Sequence, residues 1–102
     1  MNDSEEKFEE ILKTKLLEIF GHTQAKIFLF GSRARGQARR GSDADIGIEF
    51  LDDATFRKLK SKFDTFWEES IIPFRVELIH FDRVDMEFKE QALKDRVIWK
   101  ED

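Results

Sequence analysis

The fold is decided by residues 26–50, KIFLFGSRARGQARRGSDADIGIEF, where an apolar run, a glycine-rich turn and an alternating segment follow one another. Lys26 to Phe30 is nearly continuous in apolar residues and ends at Gly31, which is typical of a central strand covered on both faces. We expect a short helix to begin near Ser32 and a polar loop to follow over residues 37–41. This stretch therefore predicts two strands joined by a compact polar connection.

The second strand of this stretch alternates in polarity, and successive side chains of a strand point to opposite faces. One face would carry Ala44, Ile46, Ile48 and Phe50. The other face would carry Asp43, Asp45, Gly47 and Glu49. We therefore expect one face of this strand to be polar and uncovered, so that a site could lie on it.

Helical periodicity and cap residues predict the elements on either side. Before this stretch we expect a helix over 3–20 with a solvated acidic face. After it we expect a helix from Asp52 or Asp53, which Pro73 prevents from continuing, and then a strand over 74–81. A helix from Asp82 to about Leu93 and an apolar strand or anchor over 97–99 complete the prediction. In the strand over 74–81, Glu77 would lie opposite the core-facing residues Phe74, Val76 and Leu78. Alternation of helices and strands predicts the α/β or α+β class.

Composition limits the class of protein. The 102 residues fit a single domain, 1–102, and 40% of them are hydrophobic, enough for one compact core. The absence of cysteine excludes disulfides and thiolate metal sites and favours a cytoplasmic setting. The acidic N-terminus does not resemble a signal peptide, and no apolar run approaches the roughly 20 residues of a membrane span.

The net charge of −4 argues against a role in binding nucleic acid. A local exception lies between Phe30 and Ser42, where four arginines occur without an acidic neighbour: Arg33, Arg35, Arg39 and Arg40. An arginine cluster of this kind is ordinarily a solvated loop. Its position between a glycine turn and two aspartates favours an anion-binding role instead.

Asp43 and Asp45 are two positions apart, so on a strand both carboxylates would point into one volume. Two carboxylates this close repel each other, and Mg²⁺ is the cation that prefers such oxygen ligands. Glu77, in the middle of the third strand, is the candidate for a third carboxylate on the same side. Its alternative is an edge-strand residue that faces water.

The turn after the first strand could bind phosphate. Gly31 permits a close approach of the backbone, Ser32 adds a hydroxyl, and the expected helix start adds N–H donors. Arg33 or Arg35 could then hold the triphosphate tail of a nucleotide. Beside the two aspartates, this turn indicates a site for a metal–nucleoside triphosphate.

The pattern Gly-Ser-x-Ala-Arg-Gly at residues 31–36, followed by Ser-Asp-x-Asp-Ile at residues 42–46, resembles the minimal nucleotidyltransferases of the DNA polymerase beta superfamily. The resemblance implies a small mixed sheet with helices packed on one face. It implies transfer of a nucleoside monophosphate from a nucleoside triphosphate to a hydroxyl, with release of pyrophosphate. Asp43 and Asp45 match the metal-binding carboxylates of the family. Gly31 and Ser32 match its triphosphate-binding residues, and Ser42 belongs to the matching motif at the nucleotide site.

In this family the third carboxylate usually lies in a Val-Asp-Leu-Val strand, and the resemblance implies that it acts as the base for the incoming hydroxyl. Here the matching segment is Val76-Glu77-Leu78-Ile79, so glutamate replaces aspartate. The additional methylene displaces the carboxylate by about 1.5 Å, a distance that can lower a rate strongly. Nucleotide binding with slow transfer is therefore an alternative to full activity.

Small members of the family also resemble the antitoxins that accompany helical HEPN-domain toxins. That resemblance implies transfer of AMP from ATP to a toxin side chain, often tyrosine. The chain contains no tyrosine, so a tyrosine acceptor would have to come from another chain. The alternative is a nucleotide-binding module that neutralises its partner by contact alone. The sequence identifies neither the base of the nucleotide nor the oligomeric state, which leaves a homodimer open.

Overall fold

The computed structural model describes residues 3–101, and their side chains from residue 5 onward. The elements in chain order are α1 (Asp3–Phe20), β1 (Lys26–Phe30), β2 (Ala44–Glu49), α2 (Asp53–Glu68), β3 (Val76–His80), α3 (Met86–Ala92) and β4 (Val97–Lys100). Short 3-10 turns lie at Phe81–Arg83 and Leu93–Asp95. This order agrees with the prediction except for the short helix after β1, where residues 31–36 form consecutive turns instead.

The four strands form one mixed sheet in the order β3-β2-β1-β4. β1 pairs antiparallel with both β2 and β4, whereas β2 pairs parallel with β3 through the α2 crossover. The α+β class and the small mixed sheet are therefore confirmed. β1 and β2 are the central strands, so the connection between them leaves from the middle of the sheet.

The main core lies between the sheet and the two long helices. Apolar residues recur along α1 and α2 at helical spacing, and the α2 residues Phe56, Leu59 and Phe63 are buried. The opposing sheet face contributes Ile27, Leu29, Ala44, Ile46, Ile48 and Leu78. Asp52 caps α2, because its side chain accepts a hydrogen bond from the Thr55 amide.

The other face of the sheet is covered over part of its area. A second apolar cluster is formed there by Phe28, Phe30 and Phe81. A Cβ on Gly47 would lie 2.3 Å from the Phe28 ring, and Glu49 is 4% exposed beside Lys89, so both residues are buried. The expectation of an uncovered polar face along all of β2 was therefore wrong, and the open part is confined to its beginning.

Two further expectations fail where the chain leaves β2. Phe50 does not face the core, because at φ 71° it turns outward and is 53% exposed. Asp82 does not cap the last helix, because its carboxylate accepts hydrogen bonds from the amides of Phe50 and Leu51. Asp85 caps α3 in its place by accepting from the Phe88 amide. Asp82, which local sequence predicts as the cap, therefore makes a long-range contact instead.

Across residues 3–101, no helix has the length and apolar character that would let it cross a membrane.

Candidate nucleotide site

Strand pairing brings two of the predicted carboxylates together. Asp45 of β2 is directly paired with Glu77 of β3 on one side and with Phe30 of β1 on the other. Directly paired residues point to the same face of a sheet, so both carboxylates lie on the face opposite the long helices. Asp43 lies one residue before β2 and is exposed, as is Glu77, whereas Asp45 is half-buried.

Asp45 is near enough to Glu77 and Asp43 for their negative charges to act on it. Burial raises the pKa of Asp45, and the charges of Glu77 and Asp43 raise it further. Within residues 3–101, no three acidic or histidine side chains are gathered closely enough to make a ready-made metal cage. The group is therefore open, and a cation held there would take further oxygen ligands from water or phosphate.

Gly31 brings the glycine turn against this acidic group. Its φ is +78°, and a Cβ at this position would lie 2.6 Å from Asp45 Oδ2. Both the backbone conformation and the close approach therefore require glycine. A phosphate bound by this turn would lie next to the Asp45 carboxylate.

The turn offers free N–H donors although it is not a helix. The amides of Ala34 and Arg35 both donate to the Gly31 carbonyl, at 3.1 and 3.2 Å, and the Gln37 amide donates to the Ser32 carbonyl at 2.9 Å. Over residues 3–101, the amides of Ser32 and Arg33 donate to no backbone carbonyl or side chain. The expected helix N-terminus is therefore replaced by a turn with two unpaired amides, which could serve an anion in the same way.

Arg33 does not point to the acidic group, contrary to the expectation of a triphosphate clamp. Its side chain is 3% exposed, and its guanidinium donates to Glu9 at 2.8 Å and to Glu5 at 2.9 Å. Arg35 is exposed, with Nε 3.2 Å from the side-chain oxygen of Gln37. Of the two arginines, Arg35 is thus the one whose charge is accessible.

Ser42 holds the loop that precedes Asp43. Its hydroxyl accepts from the Arg39 amide at 2.8 Å, and its own amide donates to the Arg39 carbonyl at 2.9 Å. Its carbonyl accepts from Arg33 Nε at 2.9 Å. A direct contact of Ser42 with nucleotide stays a prediction, as do the contacts of Gly31, Ser32 and Arg35.

The acidic residues that bind Arg33, Glu5 and Glu9, were not among the predicted site residues. Glu5 is 7% exposed and Glu9 is half-buried, so this side of α1 is not a solvated face. Burial works against the charge on Glu5, but hydrogen bonds from Arg33 and the Gly41 amide outweigh it and lower the pKa of Glu5. The sequence could have predicted this burial, because Glu5 and Glu9 lie on the same helix face as the core residues Leu12 and Leu16.

One curated protein is similar to this chain in sequence. A curated Haemophilus influenzae protein named "Probable protein adenylyltransferase MntA" is 35% identical over 78 residues, which are 74% of this chain. The chain spans 65% of the length of that relative.

Two solved toxin–antitoxin structures share the fold. One, crystallised with AMP-PNP, has a TM-score of 0.63 at 20% identity and covers 88% of this chain and 73% of that chain. The other is a tri-AMPylated Shewanella oneidensis HEPN toxin in complex with its MNT antitoxin. It has a TM-score of 0.59 at 16% identity and covers 91% of this chain and 72% of that chain. The sequence pattern of the nucleotidyltransferase domain matches residues 5–99, and the chain therefore belongs to the nucleotidyltransferase domain family.

Proposed function

We propose that this protein transfers AMP from ATP to a hydroxyl of a partner protein. One observation carries the proposal: Asp45 is paired with Glu77, and the Gly31 turn packs against the same Asp45 carboxylate. A phosphate-binding turn beside a group of carboxylates is the arrangement that nucleotidyl transfer needs. The family match and the H. influenzae relative support the same reaction.

The carboxylates fit a magnesium ion. Asp43, Asp45 and Glu77 supply only oxygen donors, and the mutual repulsion of their charges is what a divalent cation relieves. Mg²⁺ held by these residues would neutralise charge on the triphosphate during transfer.

The remaining residues bind the nucleotide and move a proton. The free amides of Ser32 and Arg33 would hold phosphate oxygens, and exposed Arg35 would pair with the triphosphate tail. Glu77 would accept the proton of the acceptor hydroxyl as that oxygen bonds to the α-phosphorus. The bond from the α-phosphorus to the pyrophosphate oxygen breaks, and pyrophosphate leaves.

The proposed acceptor is a HEPN-type toxin, with this chain as its antitoxin in the cytoplasm. Two structural neighbours are complexes of toxin and antitoxin, and the toxin of one carries AMP. The chain has no tyrosine of its own, so a tyrosine acceptor must be supplied by the partner.

Transfer of label from α-labelled ATP to the purified toxin tests this function. We expect labelled toxin with the parent protein and Mg²⁺, and none with Asp43→Asn or Asp45→Asn. Asp64→Asn, which changes an exposed carboxylate on α2, is the matched control and should label normally. Label that persists in Asp45→Asn, or no label with the parent, would contradict the proposal.

A second function, neutralisation of the toxin by contact alone, is favoured by one residue. Glu77 stands where the family usually has aspartate, and the longer side chain can disturb a transfer reaction. Inhibition of toxin by the double variant Asp43→Asn/Asp45→Asn separates the two functions. Full inhibition by that variant supports contact, whereas lost inhibition supports transfer.

A further inference from the structure

We propose that Arg33 is a positioning residue, which together with Glu5 and Glu9 sets the glycine turn and Asp43 in their places for nucleotide binding. The inference rests on the proposed function, since it concerns the same site. Arg33 lies in the turn, but its side chain points away from the carboxylates and towards α1. The Arg33 side chain would therefore affect nucleotide binding only through the residues that it contacts.

The contacts of Arg33 use the whole guanidinium. Nη1 donates to Glu9 at 2.8 Å, Nη2 donates to Glu5 at 2.9 Å, and Nε donates to the Ser42 carbonyl at 2.9 Å. The guanidinium also lies over the Phe74 ring, 3.9 Å from its centroid. An arginine that merely covered the surface would be neither this buried nor bound on every side.

These contacts join the segments from which the site is built. The Arg33 backbone belongs to the phosphate-facing turn, and Ser42 immediately precedes Asp43. Phe74 lies at the entrance to the β3 strand that carries Glu77. One buried side chain thus contacts the neighbours of each functional element without contacting a carboxylate of the site.

The first turn of α1 also contacts the loop that precedes Asp43. The second oxygen of Glu5 accepts from the Gly41 amide at 2.7 Å, so Glu5 holds the loop at Gly41 while Arg33 holds it at Ser42. Fixing both points matters because the loop delivers Asp43, which lies outside the strand pairing that orients Asp45. α1 would therefore help to set a nucleotide site to which it contributes no ligand.

Binding of a fluorescent ATP analogue in the presence of Mg²⁺ tests this role. Arg33→Lys keeps the charge but loses the planar fork that reaches three partners at once. We expect its Kd to rise at least about tenfold, because small displacements of binding groups are costly. Phe63→Leu, in the α2 core away from the turn, is the stability-matched control and should keep the parent Kd.

The outcomes separate the inference from the proposed function. A parent protein that does not bind the analogue contradicts the proposed function itself. A parent that binds, with Arg33→Lys binding equally well while folded, overturns the positioning role alone. Should Arg33→Lys fail to fold, Glu9→Gln takes its place, because it keeps a hydrogen-bond acceptor of the same shape. A raised Kd in Glu9→Gln supports the role, and a parent-like Kd overturns it.

Discussion

Gly31 is the residue at which backbone conformation and site geometry depend on each other. Gly31→Ala has to place a Cβ 2.6 Å from Asp45 Oδ2 at a φ of +78°. Gly36→Ala is the matched control, because its φ is +71° but nothing lies within 4 Å of the added Cβ. We expect Gly36→Ala to destabilise the fold by about 1 kcal/mol through backbone strain alone.

Gly31→Ala should cost about 0.5–1.5 kcal/mol more than this control, because the carboxylate that the added methyl group meets is the end of the Asp45 side chain and has to rotate away. Urea unfolding of both variants measures the difference between the two free energies. Equal losses would mean that the contact with Asp45 does not constrain position 31.

Glu77 is the residue on which transfer depends most sharply. It is exposed and directly paired with Asp45, so Glu77→Gln removes a charge and a proton acceptor without disturbing packing. We expect transfer of AMP to fall at least about 100-fold, whereas the thermal midpoint should not fall, because the charge that is removed repels Asp45. Parent-like transfer by Glu77→Gln would exclude this residue as the base, because the amide of glutamine cannot accept the proton.

At the scale of elements, the long helices follow from local sequence and the short segments do not. Phe56, Leu59 and Phe63 recur at helical spacing, and any packing of α2 on a sheet buries them together. A short helix was expected to begin near Ser32, because a glycine turn often precedes one. The Arg33 side chain instead ties this segment to α1 and to Ser42, and the backbone forms consecutive turns.

The short helix α3 contacts the sheet through a charged pair and through Phe88, whose ring centroid lies 6.0 Å from that of Phe30. None of its residues is buried, and its Lys89 lies 2.6 Å from the Glu49 carboxylate, which is 4% exposed. Glu49→Gln should destabilise the protein by about 1–3 kcal/mol, because the charged hydrogen bond between Lys89 and the buried Glu49 carboxylate is lost. Asp64→Asn, which breaks an exposed pair with Lys60, should cost no more than about 0.5 kcal/mol.

Thermal and urea unfolding of these two variants measure the contrast. Equal effects would show that burial adds nothing to the Lys89–Glu49 pair. Increased hydrogen exchange confined to α3 in Glu49→Gln would identify this pair as its attachment.

The whole molecule responds to pH through carboxyl groups that act in opposite directions. The pKa of Glu5 is lowered because hydrogen bonds from Arg33 and Gly41 outweigh its burial. A carboxyl group with a lowered pKa stabilises the fold at every pH above its pKa in the unfolded chain, which is about 4.3 for glutamate. This stabilisation is lost as the pH falls through the lower pKa of the folded protein. Burial and the charges of Glu77 and Asp43 raise the pKa of Asp45, so its charged form is unfavourable at neutral pH and acid relieves it.

Because these effects oppose each other, the pH dependence of the parent's stability does not report on Glu5 alone. The difference in free energy of unfolding between Glu5→Gln and the parent does. Glu5→Gln should be about 1–2 kcal/mol less stable at pH 7, since a charged hydrogen bond is replaced by a neutral one. The difference should shrink as the pH falls below about 4.3, when Glu5 of the parent also loses its charge. Urea unfolding at several pH values measures it, and a difference independent of pH would contradict the role of the Glu5 charge.

Local sequence specifies the two long helices, the first three strands and the position of Asp43 and Asp45 around the start of β2. These features depend on helical and strand periodicity and on turn residues, which act between neighbours in the chain. Tertiary packing, by contrast, pairs Asp45 with Glu77, brings Gly31 against Asp45 and buries Arg33 beside Glu5. Each of these depends on strand register or on an ion pair between distant segments, which only packing of the whole chain can select.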